Sequence, residues 1–248
     1  MNTVMIALGI FALAAVLLLT FTALRRKSPA VFRNIEAYER LNRAVGRAVE
    51  DGTRLHVSIG RGNLFTARGG SALAGLAMLR RLSERTSLSD HPPIVTSGDA
   101  SLTILSQDTL QSGYRAAGAE EQYRVTTGRL AGLTPFSYAA GTMPIIHDEH
   151  VSANVVIGYL GTEAALLTES SDREGADLIA ASDNLSAQSI ILASSQEPLI
   201  GEELFAAGAY LGAGISHDAS LQAQDVLRWL IIAVIVGGAI LKFLGIGF

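Results

Sequence analysis

Two long apolar segments, one near each end of the chain, limit most strongly what this sequence can fold into. Residues 4–24 carry no charge, and as a helix these 21 residues are about 31 Å long, which matches the roughly 30 Å hydrocarbon core of a bilayer. Residues 226–248 form a second apolar run. Arg228 and Lys242 flank its most apolar stretch, and Trp229 suits a membrane interface. We therefore predict two transmembrane helices.

Each apolar segment has one alternative interpretation. A cleavable signal peptide would explain the first, although no Lys or Arg precedes it and it exceeds the roughly 7–15 apolar residues of a signal. A helix packed inside the protein would explain the second, because residues 229–241 alone reach only about 20 Å. The length and the flanking residues favour a retained anchor at each end.

Basic residues predict how the chain is oriented in the membrane. Four of them follow the first apolar segment closely: Arg25, Arg26, Lys27 and Arg33. By the positive-inside rule we expect the N-terminus outside, residues 28–225 in the cytoplasm and the second helix returning outward through the cell (inner) membrane. The chain has no cysteine, which agrees with a reducing compartment and excludes disulfides and thiolate-bound metals.

Charge is divided unevenly along the chain. Residues 25–129 contain 16 basic and 10 acidic side chains, a balance of +6, whereas residues 130–225 contain only Arg173 against 13 acidic side chains, a balance of −12. Either the two halves face each other within one domain, or a basic face of one subunit meets an acidic face of the next. The second arrangement would build rings or filaments. The overall charge of −4 argues against nucleic acid as a partner.

The segment between the two apolar runs alternates predicted strands with predicted helices. We predict strands at residues 55–60, 92–96, 123–128, 152–161, 176–183 and 189–195. We predict helices at residues 35–50 (capped by Asn34), 71–85, 99–117, 162–175, 198–211 and 216–225. Residues 130–152 show no sustained period and stay unassigned. The alternation predicts an α/β domain with a mostly parallel, Rossmann-like sheet and right-handed crossovers.

Small polar residues form four corners after the predicted strands. The corners are Gly60-Arg61-Gly62-Asn63, Ser97-Gly98-Asp99, residues 158–163 and Ser182-Asp183-Asn184. Ligands of open α/β sheets bind beyond the carboxyl ends of the strands, and the N–H groups that begin a helix favour anions. The candidate ligand-binding residues are Gly60, Arg61, Gly62, Asn63, Ser97, Gly98, Asp99 and Ser101. An ordinary helix cap is the competing interpretation, because Asp99 places a carboxylate where the anion would bind.

Other candidate sites lack the spacing that their chemistry needs. The first corner contains G-x-G without a third glycine at the dinucleotide spacing, and the chain has no P-loop motif and no G-x-S-x-G motif. His147-Asp148-Glu149-His150 offers metal ligands, but four consecutive residues seldom point at one centre, so we expect a polar turn. His56 lies in a predicted strand, where we expect a core histidine. We predict no catalytic residue, no metal ion and no cofactor.

Three stretches of the sequence carry a family resemblance: residues 33–62 (RNIEAYERLNRAVGRAVEDGTRLHVSIGRG), 95–118 (VTSGDASLTILSQDTLQSGYRAAG) and 152–169 (SANVVIGYLGTEAALLTE). Together they resemble an uncharacterised family of bacterial and archaeal membrane proteins built around one domain of unknown function. The resemblance implies a membrane-tethered cytosolic α/β domain, and it attaches no catalytic motif to that domain.

Two functions from different classes fit these expectations. The first is a membrane-anchored, non-catalytic structural or assembly protein, in which residues 4–24 and 226–248 anchor cytosolic α/β domains (residues 28–225) that self-associate. The second is a membrane-tethered binding or sensor module for a small anionic, nucleotide-like ligand at the carboxyl edge of the sheet. The expected partners are the lipid bilayer, further copies of the chain and other membrane proteins. An enzyme acting in the same crevice is a third, weaker possibility.

Overall fold

The computed structural model describes residues 3–26, 32–66, 69–87 and 89–245. It separates into two compact units. One unit comprises residues 33–213 and is an α/β domain. The other combines residues 1–32 with 214–248 and contains the two apolar terminal helices.

The elements of secondary structure alternate through the α/β domain. The helices are α1 (Thr3–Arg25), α2 (Glu36–Glu50), α3 (Gly69–Thr86), α4 (Ala100–Ala116), α5 (Pro135–Asp148), α6 (Ala164–Arg173), α7 (Leu185–Ser194), α8 (Ala207–Tyr210) and α9 (Ile215–Phe243). The strands are β1 (Arg54–Gly60), β2 (Ile94–Ser97), β3 (Gly128–Leu130), β4 (Val151–Tyr159) and β5 (Asp177–Ala181). Short 3₁₀ turns occupy Glu120–Gln122, Val125–Thr127 and Gly201–Ala206.

The five strands form one parallel sheet in the order β3-β2-β1-β4-β5. Since crossovers between parallel strands are right-handed, α3 and α4 lie on one face and α5 and α6 on the other. Helix α2 packs beside α3, and α7 packs beside α6. The strand order reverses between β1 and β4, which makes their carboxyl ends the topological switch point of the sheet. The predicted α/β fold with a parallel sheet is confirmed.

The core lies on both faces of the sheet, as the apolar strand sequences predict. Val57, Val155 and Val156 are wholly buried. Beneath α5, α6 and α7, Tyr138 and Leu167 belong to a cluster of fully buried side chains. Strands covered by helices on both faces read as nearly continuous apolar runs, and burying each such side chain stabilises the fold by about 1.5–3 kcal/mol.

Two predicted strands are wrong. The segment predicted as a strand at residues 123–128 is largely a 3₁₀ turn, and the strand follows at Gly128–Leu130. The segment predicted as a strand at residues 189–195 belongs to α7, whose first turn is capped when the Asn184 side chain accepts a hydrogen bond from Ser186 N. Helix α7 carries no charged side chain, so its sequence lacks the alternation of apolar and charged residues that marks a surface helix.

Differences at helix ends have local causes. Helix α2 begins after Ile35 with no side-chain cap, so the predicted Asn34 cap is wrong.

The segment at residues 130–152, to which no element was assigned, contains α5. This helix begins with a capping box between Thr134 and Ser137 and contains Pro144 in its interior. A proline inside a helix removes one backbone hydrogen bond, which explains why the helical pattern was not visible in the sequence. The helix predicted at residues 198–211 is a 3₁₀ turn followed by the short α8.

The terminal unit consists of α1 and α9, which pack along one another. Both helices are long and apolar enough to span a membrane. Their polar ends are joined where Arg25 Nε donates a hydrogen bond to Gln222 Oε1 over 2.9 Å. Residues 216–225 are helical, as predicted. Lys27 of the basic cluster and residues 246–248 of the predicted second span lie outside the described residues.

Candidate functional site

The carboxyl edge of the sheet at the switch point brings the predicted residues together. The loop after β1 carries Gly60 to Asn63, and the loop after β2 carries Ser97 to Ser101. Gly98 N donates to Gly60 O over 2.9 Å, and Arg61 N donates to Tyr159 O over 2.9 Å. The carboxyl ends of β2, β1 and β4 are thereby joined through their own backbone groups.

Gly98 allows the Arg61 side chain to cross the end of β2. A Cβ atom added at Gly98 would lie 2.2 Å from Arg61 Cγ, which is far inside van der Waals contact. Gly60 has a φ of +71°, and a Cβ atom there would lie 2.6 Å from Tyr159 O. Both positions therefore require glycine, one for the close passage of a side chain and the other for the left-handed turn that ends β1.

The Arg61 guanidinium is paired with Glu163 across the switch point. Arg61 Nε lies 2.8 Å from Glu163 Oε1, and only 1% of the Glu163 side chain is exposed. Glu163 directly precedes α6, so its carboxylate lies where an anionic ligand would meet Arg61. Glu163 is not among the eight residues predicted from the sequence. The signal was its position in a corner after β4, beside the corner that contains Arg61.

Asp99 caps α4 and uses the N–H groups that an anion would need. Its Oδ1 atom accepts hydrogen bonds from Ser101 N over 2.9 Å and Leu102 N over 3.2 Å, and the Ser101 hydroxyl donates to the same atom. Asn63 Nδ2 donates to Asp99 Oδ2 over 3.4 Å. Ser97 Oγ is hydrogen-bonded to Thr103 Oγ1 at 2.6 Å. Gly62 is buried in the loop after β1. The corner after β2 therefore contains an ordinary helix cap, the alternative to an anion site at this position.

A buried network of polar side chains lies inside the sheet, away from its edges. His56 Nδ1 donates to Asn154 Oδ1 over 2.6 Å, and His56 Nε2 is 3.0 Å from Thr96 Oγ1. Asn154 Nδ2 donates to Ser171 Oγ over 2.6 Å, which orients the amide so that its oxygen faces His56. Burial lowers the pKa of His56 to about 4, so the ring is neutral at neutral pH. His56 is thus the core histidine expected from its position in a strand.

Residues 147–150 do not form a metal site. His147 Nδ1 is 2.8 Å from Glu174 Oε1, and this hydrogen bond raises the pKa of the exposed His147. Glu149 instead pairs with Arg54 over 3.0 Å and with Arg129 over 2.9 Å. Within the described part of the chain, no three His, Asp or Glu side chains are grouped so as to hold a metal.

Ion pairs within the α/β domain connect the basic half of the sequence to the acidic half. Among the described residues, six ion pairs join an arginine of the basic half to a carboxylate of the acidic half: Arg33–Glu203, Arg40–Asp177, Arg47–Asp177, Arg54–Glu149, Arg61–Glu163 and Arg129–Glu149. These contacts agree with the interpretation in which the two halves face each other within one domain. The charge division therefore needs no contact between subunits to explain it.

A polar cleft of about 400 Å³ opens at the opposite, amino edge of the sheet. Its ionisable lining side chains are Arg47, Asp51, His150, Glu174 and Asp177. Arg47 is paired with Asp177, and Glu174 is hydrogen-bonded to a histidine of α5. None of the eight predicted ligand-binding residues lines this cleft.

Comparison with models of protein families shows to which family the chain belongs. A family model with the description "Domain of unknown function (DUF6754)" matches residues 1–248. The chain belongs to the DUF6754 family. The match extends over both terminal helices as well as the α/β domain, so DUF6754 comprises both units of the structure. No curated protein and no solved structure matches the chain. The predicted resemblance to a family of unknown function is confirmed.

Proposed function

We propose that the protein is a membrane-anchored, non-catalytic assembly protein whose α/β domains associate with one another through α7. The observation that carries this proposal is the outer surface of α7. The helix has ten residues without a charged side chain. Leu185 and Leu192 are 79% and 63% exposed, and because they are seven residues apart they lie on the same side of the helix.

An uncharged outer face is unusual for a helix that faces solvent. Surface helices normally place charged and polar side chains on the outside, whereas the cores of protein interfaces are depleted of charge. The inner side of α7 is already filled, since Ala187 and Ile191 are buried in the cluster beneath the sheet. Helix α7 also follows β5, the strand at one end of the sheet. This position leaves the outer face of α7 available to a second copy of the chain.

The anchoring part of the proposal rests on α1 and α9, the two helices long enough to cross a bilayer. The first and last parts of the α/β domain are in contact, because Tyr210 OH donates to Arg33 O over 2.8 Å. The chain therefore enters and leaves the α/β domain at neighbouring points. The basic residues after α1 favour a cytoplasmic domain in a cell (inner) membrane, with the N-terminus outside.

The oligomeric state of the full chain tests the association. In nanodiscs or mild detergent we expect a homo-oligomer for the native chain and a monomer for Leu185→Glu/Leu192→Glu, measured by mass photometry and sedimentation velocity. Ile104→Glu is the matched control, since Ile104 is 67% exposed on α4, a helix with charged side chains. A monodisperse native monomer, or equal dissociation by the control, would contradict the proposal.

Protease protection tests the orientation separately. Protease added to intact cells should leave residues 28–225 uncut, and cutting should begin once the membrane is permeabilised. Cleavage within the α/β domain in intact cells would overturn the cytoplasmic placement and leave the association through α7 unaffected.

The second candidate is a binding or sensor module for a small anionic, nucleotide-like ligand, favoured by the position of Arg61 at the switch point. A bound anion would have to replace Glu163 as the partner of Arg61, since the two are 2.8 Å apart. On this hypothesis a phosphate-bearing metabolite raises the thermal midpoint. Gly98→Val abolishes the shift, because its side chain displaces Arg61. The absence of stabilisation across a nucleotide panel would count against this function.

A further inference from the structure

The carboxyl edge of the α/β domain exposes large apolar side chains. Phe65 is 91% exposed in the loop after β1, and Phe136 is 69% exposed where α5 begins after β3. Leu133 is exposed in the same connection between β3 and α5. We refer to Phe65, Leu133 and Phe136 as the apolar rim. Exposed large apolar side chains that gather at one edge of a domain are typical of an interaction surface.

Both ends of the domain lie at this same edge. Helix α2 has 15 residues, about 22 Å, and it ends three residues before β1, a strand of seven residues and about 23 Å. The first turn of α2 is therefore level with the carboxyl end of β1. Tyr38 in that turn donates to Glu203 O over 2.6 Å and stacks on Tyr210 with the ring centroids 4.9 Å apart. The chain enters and leaves the domain beside the carboxyl edge.

We propose that the carboxyl edge of the α/β domain docks on the lipid bilayer, with the apolar rim in the headgroup–acyl boundary. This inference rests on the proposed anchoring by α1 and α9, and it adds a second contact with the membrane. Arg33 follows Arg25 by eight residues, at most about 29 Å of extended chain, which limits how far this edge can lie from the bilayer. Phenylalanine and leucine are the side chains that interfacial segments insert.

The polar groups that follow β1, β2 and β4 are paired within the carboxyl edge. Hydrogen bonds from Gly98 N to Gly60 O and from Arg61 N to Tyr159 O satisfy the backbone within the edge. Asp99 satisfies the start of α4, and the charges of Arg61 and Glu163 neutralise each other. Moving an unpaired polar group out of water costs free energy. Backbone donors that are already hydrogen-bonded therefore approach lipid at a lower free-energy cost than unpaired donors. This pairing favours the bilayer over an aqueous ligand as the occupant.

Fluorescence quenching by brominated lipid tests the docking. The chain has one tryptophan, Trp229, so Trp229→Phe provides a silent background. In nanodiscs of brominated phosphatidylcholine we expect Phe136→Trp and Phe65→Trp to lose about half of their emission or more, because a side chain about 5–10 Å into the boundary meets the bromine atoms. Val125→Trp is the matched control. Val125 is exposed in the 3₁₀ turn before β3, at the amino edge, and its variant should keep its emission.

The outcomes separate the docking from the anchoring. Emission that is blue-shifted but unquenched at Phe65→Trp and Phe136→Trp would show that another copy of the chain covers the rim, which overturns the proposal. Emission typical of water at both positions would also overturn it. Carbonate extraction of vesicles that contain the same chain measures the anchoring by itself. A chain that stays in the vesicles with an unquenched rim contradicts the docking alone, whereas a chain that is washed off contradicts the anchoring.

Discussion

The two edges of the sheet differ in how they use charge. At the amino edge, Asp177 pairs with two arginines of α2, and Glu149 pairs with Arg54 and Arg129, all with partly exposed side chains. At the carboxyl edge, Arg61 pairs with a Glu163 side chain that is almost completely buried. Partly exposed ion pairs keep much of their hydration and contribute little stability, whereas a buried pair depends on both partners. The comparison indicates a hydrated surface at one edge and a self-neutralised surface at the other.

The largest effect is expected from breaking the pair at the carboxyl edge. Arg61→Met leaves the Glu163 carboxylate buried without its cation and should lower the free energy of unfolding by about 3–5 kcal/mol. The measurement is urea unfolding of the full chain in detergent, followed by near-ultraviolet circular dichroism.

The double variant Arg61→Met/Glu163→Met is the control for this loss. Two apolar side chains of similar volume need no partner, so the double variant should recover most of the stability. If Arg61→Met costs less than about 1 kcal/mol, as an exposed pair would, the contrast between the edges is incorrect.

A smaller loss of unfolding free energy is expected on acidification. It tests His56, which lies in the interior of the sheet between the two edges. The pKa of His56 is about 4 in the folded chain and about 6.5 when unfolded, so the unfolded chain binds the proton first. The stabilisation is complete above about pH 6.5 and falls as the pH approaches 4, by up to about 3 kcal/mol. Unfolding free energies of the native chain and His56→Gln should therefore converge at low pH. Parallel pH profiles would show that the pKa of His56 is the same in the folded and the unfolded chain, which would contradict this prediction.

The smallest effect is expected at the amino edge. Asp177→Asn removes the partner of Arg40 and Arg47, whose side chains are partly exposed, and should cost about 1 kcal/mol or less. Because such pairs are screened by salt, the loss should shrink between low and high ionic strength in the same urea measurement. A loss as large as that of Arg61→Met, unaffected by salt, would remove the distinction between the two edges.

The sequence correctly predicted those helices and strands in which the local pattern of apolar and capping residues agrees with how the element is buried. Strand β4 is an uninterrupted apolar run because helices cover both of its faces, and the capped start of α4 follows from Asp99. Patterns failed where two signals conflict. Helix α5 contains Pro144, and α7 has no charged side chain on its outer side, so neither shows the helical period. The failure at α7 has the same physical origin as its proposed role in association.

By itself the sequence determined two apolar helices at the ends of the chain and a parallel α/β domain between them, because both follow from local hydrophobic pattern. It also placed eight candidate residues at one edge, since the carboxyl ends of parallel strands meet there. Only the tertiary structure decided what those residues contact. Arg61 and Glu163 are 102 positions apart in the chain, and their pairing depends on the order of β1 and β4 in the sheet. The same long-range order brings the basic half of the sequence against the acidic half.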